Sequence, residues 1–319
     1  MKKNIIITGG LGFIGFNLVK KIYLKKKFNI IIIDKLSYAS NKSYVKDLKK
    51  IKNLKIFKLN IGDKKISRIL KKYKPVGIFN LAAESHVDNS ILSPARFLKS
   101  NIIDQFNFFE SIKKNLDYKD YKLIHISTDE VFGSILNGKA DENYPYKPSS
   151  PYSASKAASN CLVSAYQKTF NQKSIIINAC NNFGPYQHKE KLIPKTIKYA
   201  LKNLNIPIYG NGENIREWIY VEDFINIILK IFNVGKIGEI YNVGSDIRFS
   251  NNKFVNLILK KLKQKKLTQS KIKYIRDRKG HDLRYALNGH KLQKLIKGFK
   301  HTSVDEAIEK TIKFYTNYS

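Results

Sequence analysis

A chain of 319 residues with 43% hydrophobic side chains can bury a large α/β domain and a smaller partner, which excludes a disordered protein. Two cysteines, Cys161 and Cys180, are too few for a disulfide framework or a cysteine zinc site, and no apolar run nears the roughly 20 residues of a membrane span. The net charge of +34 comes from lysines spread over nearly every predicted helix, in a sequence also rich in Ile and Asn, so a lysine-biased composition is favoured over a nucleic-acid-binding arm.

Taken in chain order, residues 4–8, 30–33, 54–59, 76–81 and 123–127 are short apolar runs, predicted as buried strands. The first begins so early that no signal peptide is expected, and a cytoplasmic protein with no membrane and no specific nucleic-acid partner is the starting class. Residues 14–24 and 64–73 carry apolar side chains at helical spacing; Ile14, Leu18 and Ile22 share one face and leave the lysines to water. This order predicts a doubly wound parallel sheet with right-handed crossovers and helices on both sides. A sixth strand is expected at 174–179.

After Gly184 the pattern weakens, with Pro185, Pro194 and Pro207 and a Gly-Asn-Gly turn at 210–212. A smaller mixed α/β lobe is expected to begin there. A helix at 221–232 and a strand at 239–243 return to the large sheet, and helices near 251–263 and 303–315 complete the lobe. The expected division is residues 1–183 plus about 217–246 for the larger domain, and about 184–216 plus 247–319 for the lobe.

The first strand runs into Gly9-Gly10-Leu11-Gly12-Phe13-Ile14-Gly15 and then a helix. Glycines at 9, 12 and 15 permit a tight turn and close backbone approach, with a pyrophosphate at the positive end of the helix. Asp34, ending the second strand, is positioned to accept hydrogen bonds from adenosine ribose hydroxyls and to repel a 2′-phosphate, so NAD is favoured over NADP; Lys35 beside it weakens that argument.

Tyr152 and Lys156 are four apart and share a helix face. An ammonium there is expected to stabilise phenolate and lower the tyrosine pKa, making a base. Ser127-Thr128, at the end of the fifth strand, face the crevice of an open α/β sheet. A hydroxyl, a tyrosine and a lysine can handle an alcohol proton while a dinucleotide takes a hydride.

The strings TGGLGFIG (8–15), DKLSYA (34–39), LAAESHVDNSI (81–91), HISTDEVFG (125–133), PYSASKAAS (151–159), NNFGPYQ (181–187), KLIP (191–194), REWIYVED (216–223) and DRKGHDLRYA (277–286) carry a resemblance over nearly the whole chain. They resemble the extended short-chain dehydrogenase/reductase family, a Rossmann-like fold, and within it the nucleotide-sugar 4,6-dehydratases. Related epimerases usually lack the acidic pair Asp129-Glu130, because they only oxidise and re-reduce one carbon. The resemblance implies a lyase acting on dTDP-glucose. Another nucleoside-diphosphate hexose, UDP- or CDP-linked, or an epimerase or decarboxylase activity, are the alternatives.

By the same resemblance, Tyr152 takes the sugar 4-hydroxyl proton with help from Thr128, Glu130 removes the C5 proton, and Asp129 protonates the departing 6-hydroxyl; Lys156 completes the catalytic set. The dinucleotide would contact Gly9, Gly12, Phe13, Ile14, Gly15, Asp34, Lys35, Ser37, Asn60, Ile61, Leu81, Ala82, Ala83, Ser100, Tyr152, Lys156 and Asn182. The sugar nucleotide would contact Ser85, Thr128, Asn181, Lys191, Leu192, Ile193, Pro207, Tyr209, Arg216, Asn251, Arg278 and His281. Arg216 suits a diphosphate because its planar fork makes paired hydrogen bonds, although it could instead pair with Glu217 or Glu222. No metal is implied. Phe132 and Phe183 stand where tyrosine is common, Glu217 where aspartate is, Phe299 where tryptophan is and Ser37 where threonine is. A homodimer packed through helices near 94–114 and 152–167 is implied as well.

Overall fold

The protein, analysed as a computed structural model, is described over residues 2–40, 45, 48 and 51–317. Isoleucine-rich runs form the strands β1 (Lys3–Thr8), β2 (Phe28–Asp34), β3 (Leu54–Lys58), β4 (Gly77–Asn80), β5 (Lys122–Thr128), β6 (Ser174–Ala179) and, far along the chain, β10 (Ile240–Val243). They make one seven-stranded sheet in the order β10-β6-β5-β4-β1-β2-β3, and every pairing is parallel. β-Branched side chains fit this sheet because both faces are covered. On one face lie α1 (Phe13–Leu24) and α8 (Val221–Val234), which contribute Phe16, Leu18, Val19, Ile22, Phe224, Ile227 and Ile228 to an apolar core. On the other lie α2 (Ile66–Tyr73), α5 (Asp104–Asn115) and α6 (Pro151–Phe170), with Ile66, Leu70, Phe108, Phe109, Ile112 and Val163. The expected doubly wound sheet is therefore present. Its strand order reverses at β1, flanked by β2 and β4, and that reversal opens a crevice at the strands' C-terminal ends.

The second half of the chain adds strands that the sequence pattern does not reveal. β7 (Asn181–Phe183), β9 (Ile215–Tyr220) and β11 (Arg248–Ser250) form a three-stranded sheet, and β8 (Ile206–Tyr209) pairs in parallel with β12 (Ile272–Ile275). Pro207 is tolerated within β8 because that strand has a single neighbour and loses no ladder bond on its free side. With α7 (Leu192–Leu201), α9 (Asn251–Gln264) and α11 (Val304–Asn317) these strands enclose a third core of Phe183, Ile197, Ile208, Trp218, Phe254, Ile258 and Ile308. Phe183 meets the rings of Trp218, Tyr220 and Phe254, so the hydroxyl of a tyrosine would have no use there.

The helix expected across 94–114 is not continuous. α3 (Val87–Leu92) and α4 (Pro94–Leu98) precede one turn of π-helix at Lys99–Ile103, and only then does α5 begin. The wider turn buries Asn101 fully, where its amide accepts from Glu84 N (2.8 Å) and donates to Glu84 O (3.0 Å) and Ser155 Oγ (2.9 Å). A regular turn would point elsewhere, which is why such insertions gather near working sites.

Glu217 of β9 ties the third core to the large sheet. Its buried carboxylate accepts from Ser245 N (2.9 Å), Asp246 N (3.0 Å) and Leu287 N (3.1 Å) and pairs with Arg248 (2.8 Å). Replacing it strands three backbone donors at once and leaves Arg248 with only Asp246 and the Leu287 carbonyl. Glu217→Ala is expected to destabilise the fold by about 3–5 kcal/mol, seen as a lower midpoint in denaturant unfolding; an unchanged midpoint would contradict this account.

Candidate active site

Two cavities meet at the sheet's C-terminal edge. The first begins at the glycine turn. Gly9 has φ +64, and a Cβ on Gly15 would run into the Gly9 carbonyl oxygen, so only glycine lets α1 start this close to β1. Gly12 offers no capping side chain, leaving first-turn amides of α1 open to an anion. Thr8 Oγ1 accepts from Leu81 N (3.2 Å) and Ala82 N (3.1 Å), which sets the floor after β4. Asp34 accepts from Leu11 N (3.0 Å), Leu36 N (2.8 Å) and Ser40 Oγ (2.8 Å), locking the turn and the end of β2 together.

The wall of this cavity contains Gly9, Gly12, Phe13, Ile14, Gly15, Asp34, Lys35, Ser37, Asn60, Ile61, Leu81, Ala82, Ala83, Ser100, Tyr152 and Lys156. Of the residues expected at a dinucleotide, only Asn182 is missing from that wall. Its amide donates to Cys180 O (3.0 Å), and its Oδ1 is buried with no partner among the described residues. A bare backbone turn, a helix start and a carboxylate at the ribose end suit a dinucleotide.

The second cavity, about 340 Å³, is lined by Glu130, Asn181, Lys191, Leu192, Pro207, Tyr209, Arg216, Asn251, Arg278 and His281, all named from the sequence. It also takes in His86, Asp88, Glu190, Trp218 and Tyr285, which sequence reasoning did not single out. The signal lay in or beside quoted strings: Asp88 follows Ser-His-Val within one, and Glu190 immediately precedes Lys-Leu-Ile-Pro. Ile193 is not in this wall; a helical step after Leu192 turns it into the third core at 1% exposure. Ser85 lines the first cavity instead, and its carbonyl accepts from Lys191 Nζ (3.0 Å).

Arg216 makes neither of the ion pairs its neighbours offered. It donates to Ile215 O and Asp282 O (both 2.9 Å) and stacks on Tyr285 (4.3 Å). Among the described residues no carboxylate pairs with it, so a buried guanidinium keeps its charge for an anion. Arg278 is held by Asp88 (2.5 Å), which also accepts from the Tyr209 hydroxyl (3.1 Å). Tyr38 donates to Glu190 (3.3 Å), and Glu190 lies 3.6 Å from His86. The segment 85–89, which leads into α3, thus holds both segments that face it.

Between the cavities stand the catalytic candidates. Ser150 caps α6 in a reciprocal pair with Ser153, and Pro151 opens the helix, fixing the faces of Tyr152 and Lys156. Lys156 Nζ donates to Ile126 O (2.8 Å), and burial pulls its ammonium down to about 8. The phenol behaves differently from expectation: burial, then the Glu130 charge, pushes the Tyr152 pKa up, while the Thr128 hydroxyl pulls it back. Lys156 does not lower it here.

Thr128 ends β5 and donates to Asp129 Oδ1 (3.3 Å). Asp129 is 2% exposed, and its Oδ2 is buried without a hydrogen-bond partner among the described residues. Burial, then the charges of Glu130 and Glu217, raises its pKa well above the usual carboxylate range. Glu130 is raised by burial too, but Arg216, Lys191 and Arg278 all pull it back. Both carboxyls are pushed toward the protonated form, Asp129 by burial and two negative neighbours, Glu130 less because three cations oppose its burial.

A profile of the family described as GDP-mannose 4,6 dehydratase matches residues 6–311. The chain is 39% identical to dTDP-glucose 4,6-dehydratase of Haemophilus influenzae, over 98% of this chain and 97% of that one. The structure of DesIV, a dTDP-glucose 4,6-dehydratase from Streptomyces venezuelae with NAD bound, superposes with a TM-score of 0.91 at 33% identity, covering 98% and 97% of the two chains. The dTDP-glucose 4,6-dehydratase of Bacillus anthracis in complex with NAD gives 0.89 at 33% identity, covering 99% and 97%.

The setting of Asp129 has a consequence for stability. Its folded pKa lies above the unfolded value near 3.8, so between the two the folded state holds more protons and stability falls as pH rises. Asp129→Asn removes that titration. Its unfolding midpoint should decline less steeply with pH than the wild type from about pH 4 upward, measured by denaturant melts in a pH series; parallel slopes would count against the buried neutral acid.

Proposed function

The chain belongs to the GDP-mannose 4,6 dehydratase family, and from that premise we propose that it converts dTDP-glucose to dTDP-4-keto-6-deoxyglucose with NAD as cofactor. The observation that carries the reading is the acid pair on consecutive residues: Asp129, buried and raised well above the usual carboxylate range, and Glu130, on the wall of the cavity with three basic side chains that oppose its own rise. When bound, NAD supplies a hydride acceptor for C4, a donor for C6 and a positive charge beside the phenol. The first-cavity residues named above would hold it.

The protein's own groups move the protons. In this cleft Tyr152 holds its proton, and it would act as base only as the phenolate, which the positive charge of bound NAD would favour; in that form its Oη would take the proton of the sugar 4-hydroxyl, with Thr128 Oγ1 hydrogen-bonded to the same oxygen and Lys156 one helical turn along. A ketone at C4 acidifies the C5 hydrogen; Glu130 removes that proton and returns it to C5 when C6 receives its hydride. Asp129, kept protonated by burial, gives its proton to the departing 6-hydroxyl. Arg216, Arg278 and Lys191 attract the diphosphate; Asn181 faces the sugar; Leu192, Pro207, Tyr209, Asn251 and His281 frame the nucleoside. Two adjacent carboxyls with opposed settings have no task in an epimerase, which favours the dehydratase.

The two-lobe division belongs to the same reading, supported by the separate third core. So does a homodimer: Leu98, Ile103 and Phe106 stand exposed along α4, the π turn and α5, beside the exposed Ala154, Cys161 and Ala165 of α6. A cytoplasmic setting agrees with two free thiols and with the lack, among the described residues, of any helix long and apolar enough to cross a membrane.

Incubating the protein with a panel of nucleoside-diphosphate hexoses should give, from dTDP-glucose, a product lighter by one water with no net NADH. An isomer or loss of carbon dioxide would overturn the reading. Asp129→Asn and Glu130→Gln should each lower kcat about 10²- to 10⁴-fold while leaving nucleotide affinity near wild type. Phe106→Glu should yield monomers in sedimentation; persistent dimers would move the interface elsewhere.

A further inference from the structure

Asp34 ends β2 where the ribose hydroxyls of a dinucleotide lie, and the next residue, Lys35, is the first cation at that edge. A free lysine there would accommodate a 2′-phosphate. Lys35 is not free. Its Nζ lies 2.6 Å from Glu84 Oε1 and 3.3 Å from Ser100 Oγ. Among the described residues Arg96 is the other cation at this carboxylate, donating to the same Glu84 oxygen at 3.2 Å. Glu84 itself cannot follow either cation toward the cleft. It is 3% exposed, and Asn101 of the π turn clamps its backbone at both the amide and the carbonyl. Lys35 is 34% exposed on a flexible stem, so a released ammonium could swing.

We propose that Glu84 is a specificity-determining residue for the dinucleotide: by holding the Lys35 ammonium it denies a counter-charge to a 2′-phosphate, and the cleft accepts NAD and rejects NADP. Asp34 supplies repulsion; Glu84 removes the remedy. This inference rests on the dinucleotide reading of the first cavity. Removing Glu84 also raises local positive charge, which would strengthen binding of any pyrophosphate, so the ratio of the two affinities isolates the effect on the 2′-phosphate.

The full-length chain is titrated with NAD and with NADP at low ionic strength. In Glu84→Gln the ratio Kd(NADP)/Kd(NAD) should fall about tenfold, the size of one gained hydrogen bond between charged groups. High salt should erase the gain, and Lys35→Met added to Glu84→Gln should restore the wild-type ratio. Lys35→Met alone, which keeps the buried carboxylate paired with Arg96, should leave the ratio unchanged; a clear rise would mean that Lys35 already serves the phosphate and would overturn the assignment. So would an unmoved ratio in Glu84→Gln. Binding of neither dinucleotide by the wild type would overturn the proposed function as well, whereas NAD binding with an unmoved ratio overturns this assignment alone.

Discussion

Two carboxyl groups on consecutive residues cannot both give up their protons in a pocket with little water, and the surroundings decide which one keeps it. At Asp129 the charges of Glu130 and Glu217 outweigh the opposing pull of Arg216 and add to the effect of burial. Glu130, one residue further round a 3₁₀ turn (Asp129–Phe132), projects toward Arg216, Lys191 and Arg278. The turn that separates their directions begins at Thr128, whose Oγ1 accepts from Glu130 N (3.3 Å). Acid and base are thus assigned by the geometry of a single turn rather than by residue type, and the buried Glu217 that helps fix the assignment also anchors the second sheet.

Much of this could be read from residues alone where a local rule governs. The glycine spacing, the isoleucine runs of β1 and β2 and the Tyr152–Lys156 step each depend on neighbours in sequence, and each matches the structure. Strands β7, β8, β9, β11 and β12 escaped because they are short and pair with partners far along the chain. β8 finds β12 some 60 residues later, and a proline sits in its middle. Nothing in Asn101 announces a widened helical turn, since the cause is a pair of bonds to Glu84, 17 residues earlier.

Where expected site residues stand off the cavity walls, the origin is the same. Ile193 follows Leu192 in a motif that faces the cavity, yet a 100° step on α7 sends it into the core. Asn182 alternates away from Asn181 along β7 in the same manner. The Tyr152 phenol looked acidified because a lysine shares its helix face, but burial dominates and the Lys156 charge is directed at the Ile126 carbonyl. Spacing gives proximity; it does not give the direction of a hydrogen bond.

Glu190 and Lys191 line both cavities, and the start of α3 with the residues before it (85–89) grips them as well as Arg278. A wall shared by two ligands limits how such a chain can diversify. Changes there alter cofactor and sugar nucleotide together, whereas Pro207, Tyr209, Asn251 and His281 border the second cavity only. Drift toward a different nucleoside would accordingly accumulate in β8, the start of α9 and the 277–286 segment, leaving the shared wall nearly frozen.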